Sequence, residues 1–193
     1  MDLNKFLSLS KTEQIKYLEN SSISTKLNDD FFELTFNKIS DIIIFNNAEE
    51  FFFAVFFDIG GIFNENSIIF YEQSFNPIAK IVFSENRFDK RISLDYFFVE
   101  SSLRGQGLGQ FLLKTFLDIK KQEFGPKLQI FTNPYAFNTT FLGSKAVNEE
   151  EKIKQYHLEQ FYLRNGLLLT EEPKKIAFNG ETYDPNCYNL IKL

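Results

Sequence analysis

From Arg91 to Val99 apolar and polar positions alternate, with Ile92, Leu94, Tyr96 and Phe98 on one side and Ser93, Asp95, Phe97 and Val99 on the other. That period predicts a strand with two unlike faces. After the short link Glu100 to Leu103 the period changes: Leu108, Phe111, Leu112, Phe116 and Ile119 recur at helical spacing. Between the two patterns stand Gly105, Gly107 and Gly109, so the stretch reads as strand, glycine-rich turn, helix. Upstream, Ser67 to Glu72 and Pro77 to Phe83 read as strands joined by the turn-like Gln73-Ser74-Phe75-Asn76. A polar link, Ser84 to Lys90, leads into the Arg91 strand, and the three strands predict an antiparallel meander. Downstream, Gly125-Pro126 ends the helix and Lys127 to Thr132 predicts a further strand, parallel to the Arg91 strand through a right-handed crossover.

The first 60 residues read as mainly helical. Ser10 with Glu13 three positions later forms a capping box for a helix over about residues 11 to 19. Asn28, Asp29 and Asp30 are candidate caps for a second, with Phe32, Phe36 and Ile39 buried. Ile42 to Phe45 suits either a strand or that helix's end. Asn47 with Glu50 repeats the capping spacing, so the apolar run through Phe57, stopped by Gly60-Gly61, is expected to be a helix that is buried or lines a pocket. Towards the other end, residues 133 to 148 carry loop signals, Glu149 to Asn165 predicts a helix ended by Asn165-Gly166, and Leu167 to Thr170 and Cys187 to Leu193 predict closing strands around a loop over Glu171 to Asn186.

Chemistry concentrates in the glycine turn. Glycines there let a ligand approach the backbone, and the free amides of a helix's first turn point at an anion above them, so Arg104 to Gln110 reads as a phosphate cradle. A dinucleotide fingerprint would place its third glycine where Gln110 stands, and the chain has no Gly-Lys-Ser/Thr triplet for a Walker loop.

Val99 followed by Arg104-Gly105-Gln106-Gly107-Leu108-Gly109 resembles the signature of the GNAT N-acyltransferases, Arg or Gln, two residues, Gly, one residue, Gly or Ala, opening a helix five residues after a strand-ending Val. Phe161-Tyr162-Leu163-Arg164-Asn165-Gly166-Leu167 resembles the family's second recognisable stretch. By element order the likeness covers residues about 67 to 193. It implies an α/β (α+β) domain with a mixed, mostly antiparallel central sheet and helices on both faces. Residues 1–66 would form a mainly helical substrate side and 67–193 the CoA-binding core of a single domain spanning 1–193.

The resemblance further implies acyl transfer from acetyl-CoA to an amine. Backbone amides of Arg104, Gly105, Gln106, Gly107, Leu108, Gly109 and Gln110 would hold the pyrophosphate, and the main chain of Phe97, Phe98 and Val99 would pair with the pantetheine arm. Arg104 would meet a phosphate or cap the loop. Gln155 stands where many members place a CoA-contacting Asn, seven residues before Tyr162, and Tyr162 would protonate the departing thiolate. The family's best-known base position holds Ser93, a departure; Asp95, two residues on and on the same face, is the candidate to orient or deprotonate the amine. The bland readings are a hydrogen-bonded strand aspartate and a core tyrosine. Two other classes remain open: a CoA-binding regulatory module without catalysis, and a nucleotide-phosphate binder using the same turn.

Composition narrows the partners. A net charge of −5 and a pI near 5.1 argue against nucleic acid or an anionic membrane and suit a small-molecule or peptide amine. One cysteine, Cys187, and one histidine, His157, give neither an internal disulfide nor a zinc site, and no metal is expected. The start lacks a basic region followed by an apolar stretch, and the longest apolar run, Phe51 to Phe57, is far short of the roughly 18 residues of a membrane span. A cytoplasmic monomer or homodimer is the expectation.

Overall fold

The apolar run after Asn47 is a strand, contrary to the helix expected there. In the computed structural model, which describes residues 2–21, 23–27, 38–47, 50–58, 65–132, 157–158, 160–169, 176–178, 181–183 and 188–190, β1 (Lys38–Asn47) pairs antiparallel with β2 (Glu50–Asp58), and β2 with β3 (Glu65–Glu72). Asn47 and Glu50 are cross-strand partners, not the two members of a cap. The cause lies in the residues: Phe and Val favour the pleated surface. A strand flanked on both edges and covered on both faces buries every side chain, as Phe52 to Phe57 are buried. The alternative left open for Ile42 to Phe45 also resolves as strand. Among the described residues of 1–66, strand positions outnumber helical ones, against the mainly helical reading. Of the helix expected after Asp30, Ile39 is in β1, and Phe32 and Phe36 lie outside the described residues.

By contacts the chain forms two units, Met1–Glu85 with Leu94–Leu112, and Asn86–Ser93 with Leu113–Leu193. In the first, β1 to β3 continue into β4 (Pro77–Asn86), antiparallel to β3, and β4 is followed in the sheet by β5 (Arg91–Val99). The meander read from Ser67 onward is thus present, and it begins two strands earlier. Side chains alternate between its faces. Phe53, Val55, Phe57, Ile69 and Tyr71 point to the face covered by α1 (Leu3–Leu7) and α2 (Lys11–Asn20), where they cluster with Phe6, Leu18 and Phe75. Phe6 sets its ring edge-on to Phe53 at 5.3 Å and to Phe75 at 5.0 Å. The expected capping box opens α2: the Glu13 carboxylate accepts from the Ser10 backbone N–H at 2.9 Å and from its hydroxyl at 2.6 Å. On the other face Phe45 stacks on Phe52 at 5.7 Å, and both meet Phe111 at the start of α3 (Leu108–Phe124). This is an α+β fold, its sheet clothed by helices on both faces.

In the second unit Leu113, Phe116 and Leu117 bury one side of α3. Strand β6 (Gln129–Thr132) starts beside the beginning of β5, where the Gln129 N–H donates to the Lys90 carbonyl at 2.9 Å. The closing strands are β7 (Leu167–Leu169) and β10 (Tyr188–Leu190), with β10 antiparallel to both β6 and β7. The stretch read as loop from Glu171 to Asn186 instead contains a hairpin, β8 (Ile176–Phe178) with β9 (Glu181–Tyr183). Residues 133–156, with the expected loop and the first half of the expected helix, lie outside the described residues; His157, Leu158 and 160–164 are helical, and Gly166 takes φ +86° where the helix was expected to stop.

Candidate active site

The C-terminal part of β5 and the glycine turn belong to the first unit, where one strand end feeds one helix start. Beyond Val99 the chain makes a single tight turn over Ser101–Leu103, closed by Leu103 N–H to the Glu100 carbonyl at 3.0 Å and Arg104 N–H to the Ser101 carbonyl at 3.3 Å. Two glycines then adopt the left-handed region, Gly105 at φ +79° and Gly107 at φ +82°. An L side chain is strained there, and a Cβ built on either would meet nothing within 4 Å. Beyond the chain neighbours, no described residue stands within 4 Å of those two Cβ positions.

The first helical bond of α3 runs from Phe111 N–H to the Gly107 carbonyl at 3.1 Å. The amides of Leu108, Gly109 and Gln110 precede it, and no described residue accepts from the backbone N–H groups of residues 105–110. Gly105, Gln106, Gly107 and Gln110 are exposed, while Leu108 and Gly109 are half-buried. Gln106 turns its side chain back and donates to the Ser102 carbonyl at 3.3 Å. Exposed, unspent N–H groups at a helix start suit an anion with several oxygens.

Phe97, Phe98 and Val99 are half-buried at the end of β5. Asp95, exposed on the same strand, accepts a hydrogen bond from the Ser84 hydroxyl of β4 at 2.7 Å. The register places it further. Ile69 pairs with Lys80, and Lys80, Val82 and Ser84 share a face, so Asp95 stands on the sheet face that carries α1 and α2. Lys80 on that face is 2% exposed, and the Ser67 and Tyr71 hydroxyls are buried there without a partner among the described residues. Ser84 was not expected at the site. The first residue of the link read after Phe83, it is instead part of β4, which runs on to Asn86.

Tyr162 belongs to the second unit. It is 3% exposed and hydrogen-bonded to the Thr132 side chain of β6, and burial pushes its hydroxyl up to about 12, the Thr132 bond acting in the opposite sense. Gln155 lies outside the described residues, as does Cys187. The structure thus brings Asp95, Phe97 to Val99 and Arg104 to Gln110 into one unit and places Tyr162 in the other. Among the described residues no group of three or more His, Cys, Asp or Glu side chains could hold a metal, and no helix is long and apolar enough to cross a membrane.

The model of the acetyltransferase (GNAT) family matches residues 25–138, more than half of the 193 residues, and the chain belongs to that family. The match contains β1 to β6 and the whole glycine turn. No curated protein matches the sequence. Among solved structures, a dodecameric spermidine N-acetyltransferase from Vibrio cholerae aligns at 16% identity and a TM-score of 0.44, over 65% of this chain and 63% of that one. A GNAT-family acetyltransferase from Bacteroides thetaiotaomicron aligns at 18% identity and 0.45, over 68% and 64%. Nourseothricin acetyltransferase aligns at 15% identity and 0.39, over 65% and 64%. The chain spans a little under two thirds of the length of each.

Proposed function

We propose that the chain is an acetyl-CoA-dependent N-acetyltransferase that moves the acetyl group to an amine of a small molecule or peptide by direct attack. The observation that carries this reading is the turn after Val99. Its two left-handed glycines open a turn whose main-chain amides, residues 105–110, have no acceptor and whose glycine Cβ positions meet no neighbour among the described residues, in a chain of the GNAT family. The pyrophosphate of CoA is an anion of the size those amides suit. Gln155 is assigned a further contact to CoA, and the main chain of Phe97, Phe98 and Val99 is assigned to the pantetheine arm, as an added strand pairs with a sheet.

In the reaction the amine nitrogen attacks the thioester carbonyl, the C–S bond breaks, and the thiolate takes a proton. An ammonium cannot attack, so Asp95 is assigned to orient the amine and take its proton. Tyr162 is assigned to supply the proton to sulfur; a tyrosine whose pKa is about 12 holds its proton at neutral pH. An amine-bearing substrate suits the net charge of −5, and we place the protein in the cytoplasm as a monomer or homodimer.

Thiol release from acetyl-CoA in the presence of an amine panel, alongside calorimetric titration with CoA, tests the reading. Binding together with amine-dependent thiol release supports it. CoA binding without release under any amine would leave a binding module, which the Ser93 departure and the engagement of Asp95 with Ser84 favour as second reading. Absence of CoA binding would end both.

A further inference from the structure

One peptide unit at the end of β5 is held from both sides. The Val99 carbonyl accepts from Arg104 Nε at 2.8 Å, and the Glu100 N–H, on the same peptide plane, donates to the Ile78 carbonyl of β4 at 3.0 Å. The guanidinium that makes the first bond also lies over the Phe98 ring, 4.9 Å from its centroid. Arg104 is the residue immediately before Gly105, so its side chain ties the beginning of the cradle to the last residue of the strand. The intervening loop is closed internally by the two hydrogen bonds of the Ser101–Leu103 turn. A planar guanidinium stacked on an aromatic ring and donating in its own plane has a fixed orientation, which an ammonium on a flexible stem lacks.

We infer that Arg104 is a positioning residue: a strap that sets the Val99–Glu100 peptide, and with it the main chain of Phe98 and Val99, at a fixed place relative to the glycine turn, rather than a cation that receives a phosphate. The inference deepens the reading of the site as a CoA thioester site and rests on it for its kinetic consequence. There, the pyrophosphate is held at one end of the strap and the thioester at the other. A loosened strap leaves the anion's amides in place but blurs the position of the carbonyl to be attacked, and small misplacements of reacting groups are costly in rate. What Arg104 supplies to its neighbours is a donor and a flat surface. A neutral planar donor should therefore replace it better than a cation of the wrong shape.

The test compares wild type with Arg104→Gln, Arg104→Lys and Arg104→Ala, each checked for folding by circular dichroism. In the unliganded protein, exchange of the Glu100 amide should quicken about tenfold or more in Arg104→Ala, the worth of a lost charge-assisted bond. Arg104→Gln should regain most of that protection. In turnover with acetyl-CoA and the best amine of the panel, Arg104→Ala should lose about tenfold or more in kcat while the CoA Kd moves less than about threefold. Arg104→Gln should recover kcat better than Arg104→Lys does. A CoA Kd that rises steeply in both Gln and Ala variants and is kept by Lys makes Arg104 a phosphate ligand and overturns the strap. So does Glu100 exchange that is indifferent to all three substitutions. Failure of the wild type to bind CoA sinks the assigned function and leaves the exchange experiment to decide the strap alone.

Discussion

Ser84 and Asp95, on adjacent strands, are joined hydroxyl to carboxylate at 2.7 Å, and this bond is a handle on the proposed base. Ser84→Ala should free the carboxylate from its tether and change kcat/KM, while Asp95→Asn, which keeps the shape but cannot take a proton, should lower kcat by roughly 10² to 10⁴. Rates of both variants that match the wild type would retire Asp95 to a structural role.

At Gly107 two effects of one substitution separate. Valine at φ +82° costs roughly 1–2 kcal/mol of stability, since a Cβ disfavours that region. It meets no neighbour, so the fold should survive. The side chain would nevertheless stand in the space assigned to the pyrophosphate, and CoA binding should vanish. Gly107→Ala carries the same backbone strain with less bulk and should bind more weakly than wild type but measurably. Calorimetry and urea unfolding of the pair check this; wild-type affinity in a folded Gly107→Val protein would sink the cradle.

For Tyr162 the pH dependence has a definite sign. Its hydroxyl titrates near 10 in the unfolded chain and near 12 in the folded one. A group raised on folding contributes its stability fully below the lower value and loses it as pH climbs through the upper. Stability should thus fall by up to about 1.4 kcal/mol per pH unit between those values. Tyr71, fully buried and raised further by desolvation, adds a second slope of the same sign. Urea midpoints at pH 9 and pH 11 should differ less in Tyr162→Phe than in wild type. At neutral pH the same variant should keep CoA binding and lose turnover by roughly 10² to 10⁴, if it is the acid. Unchanged turnover with chemistry rate-limiting would assign the proton to water or another donor.

Phe6 is the load under α1 and α2, fully buried between Phe53 and Phe75. Phe6→Ala should destabilise by about 3–5 kcal/mol, and Phe6→Leu by clearly less. Loss of under 1 kcal/mol in thermal or urea unfolding would show that the two helices do not need it.

The stretch from Arg91 onward was legible because two periods meet there, alternation ending at Val99 and helical spacing beginning at Leu108, with glycines marking the change. The early chain was not, and one comparison shows why. Ser10 with Glu13 and Asn47 with Glu50 have the same spacing and similar chemistry, yet only the first pair caps a helix. A separation of three is also that of the residues facing each other across a short hairpin. Between such readings the run Phe51 to Phe57 could not arbitrate, because seven apolar residues in a row have no period. At the site, Arg104 and the glycines were named from spacing, whereas the bond from Ser84 to Asp95 depends on the length of a hairpin and its register. The strap on Val99 depends on where a long side chain lies, which spacing does not encode.

β2 has a consequence for how the chain comes into being. As it emerges in synthesis, Glu50 to Asp58 can pair with β1 at once but waits for β3, which begins at Glu65, to cover its other edge. Until then a proline-free strand whose inner residues, Phe51 to Phe57, carry no charge stands ready to stack with copies of itself, the composition that seeds ordered aggregates. A segment buried from Phe52 to Phe57 in the finished molecule is therefore a hazard in a nascent or truncated one. Expression yield should follow how quickly β3 arrives.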